Sequence, residues 1–394
     1  MFCIGLIGKR AEMVASCLQI RVFIYYTVEP CLPCLCQTSG VSPGTRHDGV
    51  PKRISLKMVA DKVGLSTAAV SRVLNESPAA KSIPKATQER ILAAAQQLNY
   101  QPNLLARSLR RGRSHTVGVL VPEVSEGYAT LVLSGIEQGL LQAGYFYYLI
   151  SHHHRADFIE QSQAMLVERA VDGLIAIDTT LQIHPHLPTV TISCPDRDEW
   201  VTNIVLNHKR AAELAIDHLT GLGHRRIALI KGQSFSSDTE PRWRAIQHAA
   251  AKANLKLNPE LIAELEGDSP SHDPGYFAAQ RLLASKAPFT AIFAFNDVSA
   301  IGAIRAVREA GLRVPQDVSI VGFDDVQSAA FQNPALTTVR QPLRTMGILA
   351  AEAIVRQIVS PSEHPPSRQI IVDPELVVRD STCPPPPKRL PKTH

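Results

Sequence analysis

The chain has 394 residues, of which 45% are hydrophobic, and it carries a net charge of +5. This length allows about two or three domains with a sizeable buried core, and the ordinary composition excludes a fibrous or wholly disordered protein. The positive charge is concentrated, because residues 51–114 hold 12 Lys and Arg against 3 Asp and Glu, which leaves −4 for the remainder. A merely solvated surface would spread this imbalance along the chain, so residues 51–114 are predicted to bind phosphates.

Residues 1–50 lack the basic start and the uninterrupted apolar run of a signal peptide. Their hydrophobic stretch, Val14 to Val28, is interrupted by Arg21 and is too short to span a membrane comfortably. The CLPCLC cluster has no second Cys or His pair at zinc-ligand spacing, so we expect no metal site there. Beyond it only Cys194 and Cys383 follow, which indicates a protein without a disulfide framework in a reducing cytoplasm.

Residues 51–102 carry the pattern of a helix-turn-helix domain. Apolar residues follow Leu56 at helical spacing, Gly64 interrupts the pattern, and Ser66 can cap a second helix. A third helix, about Pro84 to Leu98, would cover the first two, with Leu92 among its apolar contacts. Small, polar and basic side chains of the second helix would then approach base edges in a major groove. The candidate DNA-reading residues are Ser66, Thr67, Ala68, Ser71, Arg72 and Asn75.

From His115 onward, apolar runs such as TVGVLVPEV alternate with helical patterns such as LVLSGIEQGLLQAG, and the pattern restarts after Asn207. Strands alternating with helices imply right-handed crossovers and parallel sheets covered on both faces. We therefore predict two Rossmann-like lobes with a cleft at the carboxyl ends of their strands, where open α/β sheets bind ligands. Residues 381–394, which include CPPPPKRLPKTH, are predicted to form a disordered tail.

The runs SLKMVADKVGLSTAAVSRVLNESP and TQERILAAAQQLNYQPNLLARSLRRGRS closely resemble the LacI/GalR family of bacterial transcription regulators. The run AAVSRVLN, followed by LNYQPNLLARSL and a sugar-binding-type core, is a combination that chance rarely assembles. The resemblance covers roughly Lys52 to Asp380. It implies a multidomain protein with an N-terminal all-α helix-turn-helix DNA-binding domain and an α/β two-lobed periplasmic-binding-protein-like effector domain. Because family members usually begin shortly before the first helix, we expect translation to start near Val50 and residues 1–50 to be a non-native or disordered extension.

The resemblance also places the helix PLRTMGILAAEAIVRQI in the first lobe. The chain should therefore cross between the lobes near Asn207, near Gln341 and around residues 360–370. The expected segments are 51–102 for the DNA-binding domain, 103–114 for the linker, 115–208 plus 342–361 for the first lobe, 209–341 plus 365–380 for the second lobe, and 381–394 for the tail.

The linker, residues 103–114, resembles the family's hinge, which becomes a short helix when two subunits sit on DNA. Leu109 matches the wedge residue that enters a minor-groove step and bends the duplex. Arg107 and its neighbouring arginines surround this leucine with phosphate-seeking charge. The competing interpretation is a plain connector helix whose leucines pack on the core.

The resemblance supplies the candidate effector-binding residues. Tyr128 could stack on a sugar face, and Arg242 matches a ligand-clamping arginine. An arginine, an amide and a carboxylate together can satisfy the vicinal hydroxyls of a sugar. Members that bind β-galactosides have a tryptophan after the EGD triplet where this chain has Ser269, so no particular sugar can be assigned. The candidates are Tyr128, Arg197, Arg242, Asn296, Asp324 and Gln341.

Each candidate also has a purely structural interpretation. Asp324 and Asp325 follow a predicted strand and could cap the next helix, as could Asn296 or Asp297 for the helix that follows them. Arg242 could be an exposed residue of a first helical turn.

Tyr128 could likewise belong to the core. His152, His153 and His154 look like a metal-binding tract, but three consecutive residues cannot all face one ion. We expect these histidines to be solvated, and we expect neither a metal ion nor a cofactor.

The resemblance implies a cytoplasmic repressor that binds a pseudo-palindromic double-stranded operator as a homodimer, with no membrane partner. A sugar or sugar derivative in the cleft would control it, with a coupling typically of about 1–3 kcal/mol in either direction. The alternative is a periplasmic-type solute-binding protein, which would need a secretion signal and no DNA reader. An enzyme is not expected, because the sequence has no Walker loop, no G-x-S-x-G and no H-E-x-x-H.

Overall fold

The computed structural model describes residues 54–75, 77–100, 113–125, 127–181, 187–194, 201–268, 271–285, 287–360 and 369–387. The chain divides into two compact units, Met1–Tyr100 and Gln101–His394. The expectations for residues 1–50, Arg107, Leu109, Arg197 and Ser269 lie outside the described residues. Among the helices that are described, none is both long enough and apolar enough to cross a membrane.

The N-terminal unit contains three α-helices around a small core. They are α1 (Leu56–Val63), α2 (Thr67–Leu74) and α3 (Lys85–Gln97), with a 3-10 turn at Pro78–Ser82. Gly64 ends α1 with a φ of 68°, a left-handed conformation that favours glycine, and the Ser66 hydroxyl caps α2 by accepting from the Ala69 N–H at 3.2 Å. Ile91 of α3 is fully buried, whereas Leu92 is exposed, contrary to its predicted contact with the first two helices.

The first lobe consists of β1 (Thr116–Val121), α4 (Tyr128–Gln142), β2 (Phe146–Ser151), α5 (Ala156–Glu168), β3 (Gly173–Ile177), β4 (Thr189–Ile192), β5 (Thr202–Leu206), α11 (Leu343–Val359) and β11 (Gln369–Val372). Its six strands form a parallel sheet with the order β11-β5-β4-β3-β1-β2. Helix α11 packs along α4 over the buried strands, as predicted for the helix that follows Gln341.

The second lobe consists of α6 (His208–Gly221), β6 (Ile227–Lys231), α7 (Thr239–Lys252), β7 (Ile262–Glu264), α8 (Asp273–Ala284), β8 (Ala291–Phe293), α9 (Asp297–Glu309), β9 (Ser319–Asp324), α10 (Gln327–Phe331), β10 (Thr337–Arg340) and β12 (Glu375–Val377). A 3-10 turn at Pro259–Leu261 precedes β7. The sheet repeats the topology of the first lobe with the order β12-β10-β9-β8-β6-β7, except that β12 runs antiparallel to β10. The predicted fold class, a helical reader plus a two-lobed α/β domain, is confirmed.

The final crossing between the lobes lies further along the chain than predicted. Residues 365–380 were assigned wholly to the second lobe, but Gln369–Val372 pair with β5 in the first sheet, so the chain crosses after Val372. The apolar side chains of Ile370 and Val372 explain the difference, because they pack against the first-lobe core. The Asn207 amide donates to the Asp373 carboxylate at 2.8 Å, which joins the first and last crossings.

The predicted disordered tail is wrong for residues 381–387. The Ser381 hydroxyl is fully buried, where it donates to the Ile320 carbonyl at 2.6 Å and accepts from the Thr337 N–H at 2.8 Å. The Cys383 N–H then donates to the Ser319 hydroxyl at 3.0 Å. The proline-rich composition did not predict this segment, because its order depends on these polar contacts with β9 and β10.

In each lobe, a pair of glycines allows two helices to approach closely. A Cβ at Gly135 of α4 or at Gly347 of α11 would collide with the backbone of the facing helix. The same holds for Gly275 of α8 and Gly302 of α9 in the second lobe. The absence of a side chain, rather than backbone flexibility, is therefore what these positions require.

Candidate functional site

The exposed side of α2 carries most of the predicted DNA-reading residues. Ser66, Thr67, Ala68 and Arg72 are exposed, whereas Ser71 is buried, contrary to the prediction. Ser71 is buried together with Val70 and Val73, so its side chain lies on the inner side of α2, whereas the next residue, Arg72, is exposed.

Asn75 occupies the C-cap of α2 rather than extending freely from its surface. Its amide donates to the Ser71 carbonyl at 2.8 Å and to the Ser71 hydroxyl at 3.1 Å. These two bonds fix the end of the reading helix. A role in base contact would require Asn75 to leave them.

A cleft lies between the two lobes of the C-terminal unit, at the carboxyl ends of their strands. Tyr128, Arg242, Asn296 and Asp324 line it, so the structure brings together four of the six candidates. Gln341 lies behind them, and its amide donates to the Asp324 carboxylate at 2.6 Å. The arrangement places cationic, amide and carboxyl groups at one concave surface.

Arg242 is buried, so its interpretation as an exposed helix residue is wrong. Its Nη1 donates to the Phe295 carbonyl at 2.5 Å, and its Nη2 contacts the Asp238 carboxylate at 3.1 Å. The guanidinium also stacks on two aromatic rings, 3.7 Å from the Phe323 centroid and 4.4 Å from the Phe295 centroid. These contacts hold the guanidinium in one orientation at the cleft wall.

Asp324 and Asp325 do not cap α10, whose N-cap residue is Val326. Burial raises the pKa of Asp324 to about 7, against the opposing influence of Arg242 and Gln341. Asp325 instead pairs with Arg340 at 2.7 Å and Arg379 at 2.6 Å. Of the two carboxyl groups, Asp324 is therefore the one that faces the cleft.

Asn296 both caps α9 and lines the cleft. Its side-chain oxygen accepts from the Ser299 N–H at 2.8 Å, and the Ser299 hydroxyl reaches back to the Asn296 N–H at 3.2 Å. The capping interpretation is therefore correct for Asn296, but its amide remains at the cleft wall.

The neighbouring Asp297 is fully buried and supports two other segments of the second lobe. It accepts from the Val326 N–H at 2.9 Å and from the Thr338 hydroxyl at 2.6 Å. Burial, followed by the nearby Asp324, raises its pKa well above the ordinary value. Asp297 thus fixes the loop that follows Asp324, without itself lining the cleft.

The first lobe contributes Tyr128 and Asp178. Tyr128 is partly buried and donates to the Ser193 hydroxyl at 2.8 Å, and burial raises its pKa well above the ordinary value. The Asp178 carboxylate reaches across to the second lobe, where it accepts from the Ser237 N–H at 2.8 Å and the Ser236 hydroxyl at 3.2 Å. Burial, then the charge of Asp238, raises the pKa of Asp178 to about 7.

Sequence reasoning missed Asp178 and Asp238. Asp178 directly follows β3, and a carboxylate after a buried strand was the available signal at that position. The sequence offers no comparable signal for Asp238, because its importance depends on contacts with His208 and Arg242.

The predicted solvation is wrong for His152. This residue is buried, and its Nε2 lies 2.8 Å from the Thr179 hydroxyl. Burial lowers its pKa to about 4. His153 is exposed, and the His154 ring stacks on Phe235 across the cleft, with centroids 4.0 Å apart. Over the described part of the chain, no group of three or more Cys, His, Asp or Glu side chains is arranged to hold a metal ion.

Two family models match the chain. Residues 55–103 match the model described as bacterial regulatory proteins, lacI family, and residues 216–382 match a periplasmic binding protein-like domain. The chain is 32% identical over 335 residues to the HTH-type transcriptional repressor PurR of Aliivibrio fischeri strain MJ11, an alignment that covers 83% of this chain and 98% of the relative. The PurR repressor of Haemophilus influenzae strain PittEE is 31% identical, with the same coverage.

Solved structures give the same result. A lac repressor dimer bound to operator and the anti-inducer ONPF is 25% identical, with a TM-score of 0.74, and the match covers 84% of this chain and 100% of the repressor. A complex of the transcriptional regulator CelR with cellobiose is 26% identical, with a TM-score of 0.62 and the same coverage. A ribose-bound regulator from Enterococcus faecium, 26% identical with a TM-score of 0.60, covers 68% of this chain and 99% of its own. On these similarities over nearly the full length of its relatives, the chain belongs to the LacI family of bacterial transcriptional regulators.

Proposed function

We propose that the protein is a repressor that binds a pseudo-palindromic operator as a homodimer and responds to a sugar-like molecule in the cleft. The observation that carries this proposal is the coexistence in one chain of an exposed reading helix and a two-lobed cleft lined by Arg242, Asn296 and Asp324. Such a regulator acts where its operator is, which places it in the cytoplasm.

Operator recognition rests on α2. The exposed Thr67, Ala68 and Arg72 would face the major groove, with Ser66 at the start of the helix. Arginine is the side chain that most often reads guanine, through two hydrogen bonds to its major-groove edge. Arg107 and Leu109 remain proposed as the phosphate contact and the minor-groove wedge of the linker.

The proposed dimer interface includes the edge of the first sheet. Strand β2 is at this edge, and its side chains Phe146, Tyr148 and Leu149 are all exposed. Adjacent exposed apolar groups on an edge strand favour contact with another protein surface. The similarity to a lac repressor dimer supports a second copy of this chain as the partner.

The proposed effector is a sugar or sugar derivative, because the cleft combines aromatic walls with groups that bind hydroxyls. Tyr128 and Phe295 provide apolar surface, while Asn296 and Asp324 provide amide and carboxyl groups. The relatives in complex with cellobiose and ribose support this class. Ligand binding would alter the relation between the lobes and thereby the affinity for the operator.

The test begins with selection of binding sites from random duplexes by the full chain. Fluorescence anisotropy at one fixed salt concentration then compares the selected duplex with a scrambled one, because phosphate contacts make affinity salt-dependent. Arg72→Ala should lower operator affinity by about 10–100-fold and reduce the preference for the selected sequence. Unchanged discrimination between the two duplexes would show that α2 is not the reader.

The same operator assay, repeated with cellobiose, ribose and related sugars, tests the effector. A ligand that binds the cleft should shift the operator affinity, and Asp324→Ala should remove the shift without changing DNA binding in the absence of sugar. If the variant keeps the full response, the effector site lies elsewhere.

A further inference from the structure

Among its described lining residues, the cleft has more carboxyl groups than cationic groups. In the part of the chain that the structure describes, Arg242 is the one permanently charged cation among the lining residues. Two of the lining carboxyl groups, Asp238 and Asp324, are buried, and Asp178 is partly buried. The full set of lining carboxyl groups is Glu123, Asp178, Asp238, Asp268 and Asp324.

The charge of Arg242 is already neutralised within the protein. One oxygen of Asp238 lies 3.1 Å from Arg242 Nη2, and the other lies 3.3 Å from His208 Nε2. Burial alone would raise the pKa of Asp238, but His208 and Arg242 hold it below its ordinary value. Asp238 is therefore ionised at neutral pH and forms a buried pair with the guanidinium.

The Nε–H of Arg242 is a donor that no described protein group engages. Its Nε is buried and has no hydrogen-bond partner in the described parts of the chain, and the same is true of the Gln341 side-chain oxygen behind Asp324. A buried polar atom without a partner is unfavourable, and at a cleft wall it points to a group that the ligand supplies. An uncharged hydroxyl or ring oxygen can accept from Nε without bringing a negative charge.

A phosphate or carboxylate would meet a different environment. It would lie near Asp178, Asp238 and Asp324, while the nearby guanidinium is already paired. The ionised Asp238 would repel an added anion, as would Asp178 and Asp324 in their ionised forms, whereas O–H and N–H donors would satisfy the same carboxylates.

We infer that the cleft takes an uncharged or cationic ligand rich in O–H or N–H donors, and that Asp238 excludes phosphorylated and carboxylated ligands by occupying Arg242. This inference rests on the proposed function of the cleft and narrows its ligand class. It makes Asp238 a specificity-determining residue, a role that no sequence pattern indicated.

The experiment uses the full chain and pairs of probes that differ in charge. Calorimetry compares two pairs that match in size, glucuronamide with glucuronate and glucose with glucosamine, and then compares ribose with ribose 5-phosphate. We expect at least one uncharged or aminated probe to bind, with its anionic counterpart at least about 100-fold weaker.

Asp238→Asn keeps a group that can hydrogen-bond to Arg242 but removes the negative charge. In this variant the ratio of the affinities for the neutral and the anionic probe should fall by at least about tenfold. Glu213→Gln is the matched control, because Glu213 pairs with Lys252 at 2.9 Å on α6, outside the cleft lining. Glu213→Gln should show the same ratio of affinities for neutral and anionic probes as the wild type. Circular dichroism and operator binding confirm that both variants are folded.

Three outcomes would overturn the inference. They are an anionic probe that binds as tightly as its neutral counterpart, an unchanged difference in Asp238→Asn, and the absence of binding by every uncharged and aminated probe. Operator affinity, measured on the same samples, separates this failure from failure of the proposed function. A chain that binds its operator but prefers glucuronate remains a repressor with an effector of the opposite charge class.

Discussion

The two lobes share a strand order and a glycine-mediated helix packing, yet they contribute unequally to the cleft. The second lobe provides Arg242 and Asp324, both buried and already bonded to protein groups. The first lobe provides Tyr128 and Asp178, which are partly exposed, and Asp178 reaches across to the other lobe. Under the proposed function, the second lobe would hold a preorganised half-site, and the first lobe would supply the groups that complete it.

The largest expected effect is the loss of ligand affinity on substitution of the second-lobe arginine, compared with that of the first-lobe tyrosine. Arg242→Ala removes the guanidinium and leaves the buried Asp238 without its partner, so ligand affinity should fall by at least about 100-fold. Tyr128→Phe removes only the hydroxyl bonded to Ser193 and should cost about 1 kcal/mol or less. Calorimetry with any ligand found for the wild type measures the loss of affinity in each variant. Equal losses in the two variants would contradict a half-site built mainly on the second lobe.

Two buried groups, one in each lobe, should respond to pH in opposite directions. His152, in the first lobe, has a pKa lowered to about 4, so its contribution to stability is complete above about pH 6.5 and is lost as pH falls through 4. Asp324, in the second lobe, has a pKa raised to about 7, so its contribution is complete below about pH 4 and is lost as pH rises through 7. Because one pKa unit corresponds to about 1.4 kcal/mol, the effect is at most about 3 kcal/mol for His152 and about 4 kcal/mol for Asp324.

Urea unfolding of the C-terminal unit between pH 4 and pH 8 tests this contrast. Relative to the wild type, His152→Gln should reduce the loss of stability on acidification, and Asp324→Asn should reduce the loss toward pH 8. His248→Gln, at an exposed position of α7, is the control for the substitution itself. If both variants move the profile in the same direction, the two environments have been misread.

The glycine pairs should show the similarity of the lobes rather than their difference. Gly347→Ala in the first lobe and Gly302→Ala in the second each force a Cβ into the backbone of a facing helix, so each should destabilise by about 2–3 kcal/mol. Gly221→Ala, where a Cβ meets open space within α6, should instead stabilise by about 0.5 kcal/mol. A much smaller loss in one lobe would show that its helices can separate without cost.

The smallest effect concerns the DNA-binding unit. Ser66→Ala removes the hydroxyl that caps α2 and should destabilise this unit by about 1 kcal/mol. Thermal unfolding of the full chain, followed by amide exchange in α1 to α3, localises the effect. Exchange in the two lobes should remain as in the wild type, since the cap belongs to the other unit.

Much of this architecture follows from local patterns in the sequence. The alternation of apolar strands and helices predicted both sheets, and Arg242 and Asp324 were found because they match family positions. Ser71 was misplaced because neighbouring side chains on a helix point about 100° apart, so Ser71 is buried although the next residue, Arg72, is exposed. The role proposed for Asp238 could not be read from the sequence, because it depends on contacts with two other side chains. His208 lies far from Asp238 along the chain, and Arg242 lies one helical turn further along.

The short strands near the end of the described chain have a consequence for synthesis. Strand β11 supplies an edge of the first sheet and β12 an edge of the second, while Ser381 closes onto β9. During translation, neither sheet can be completed until these last segments leave the ribosome, whereas the three-helix reader emerges first. A nascent or truncated chain that stops before Gln369 would therefore keep its reader but lack both edge strands, and we expect such chains to occupy DNA without responding to the ligand.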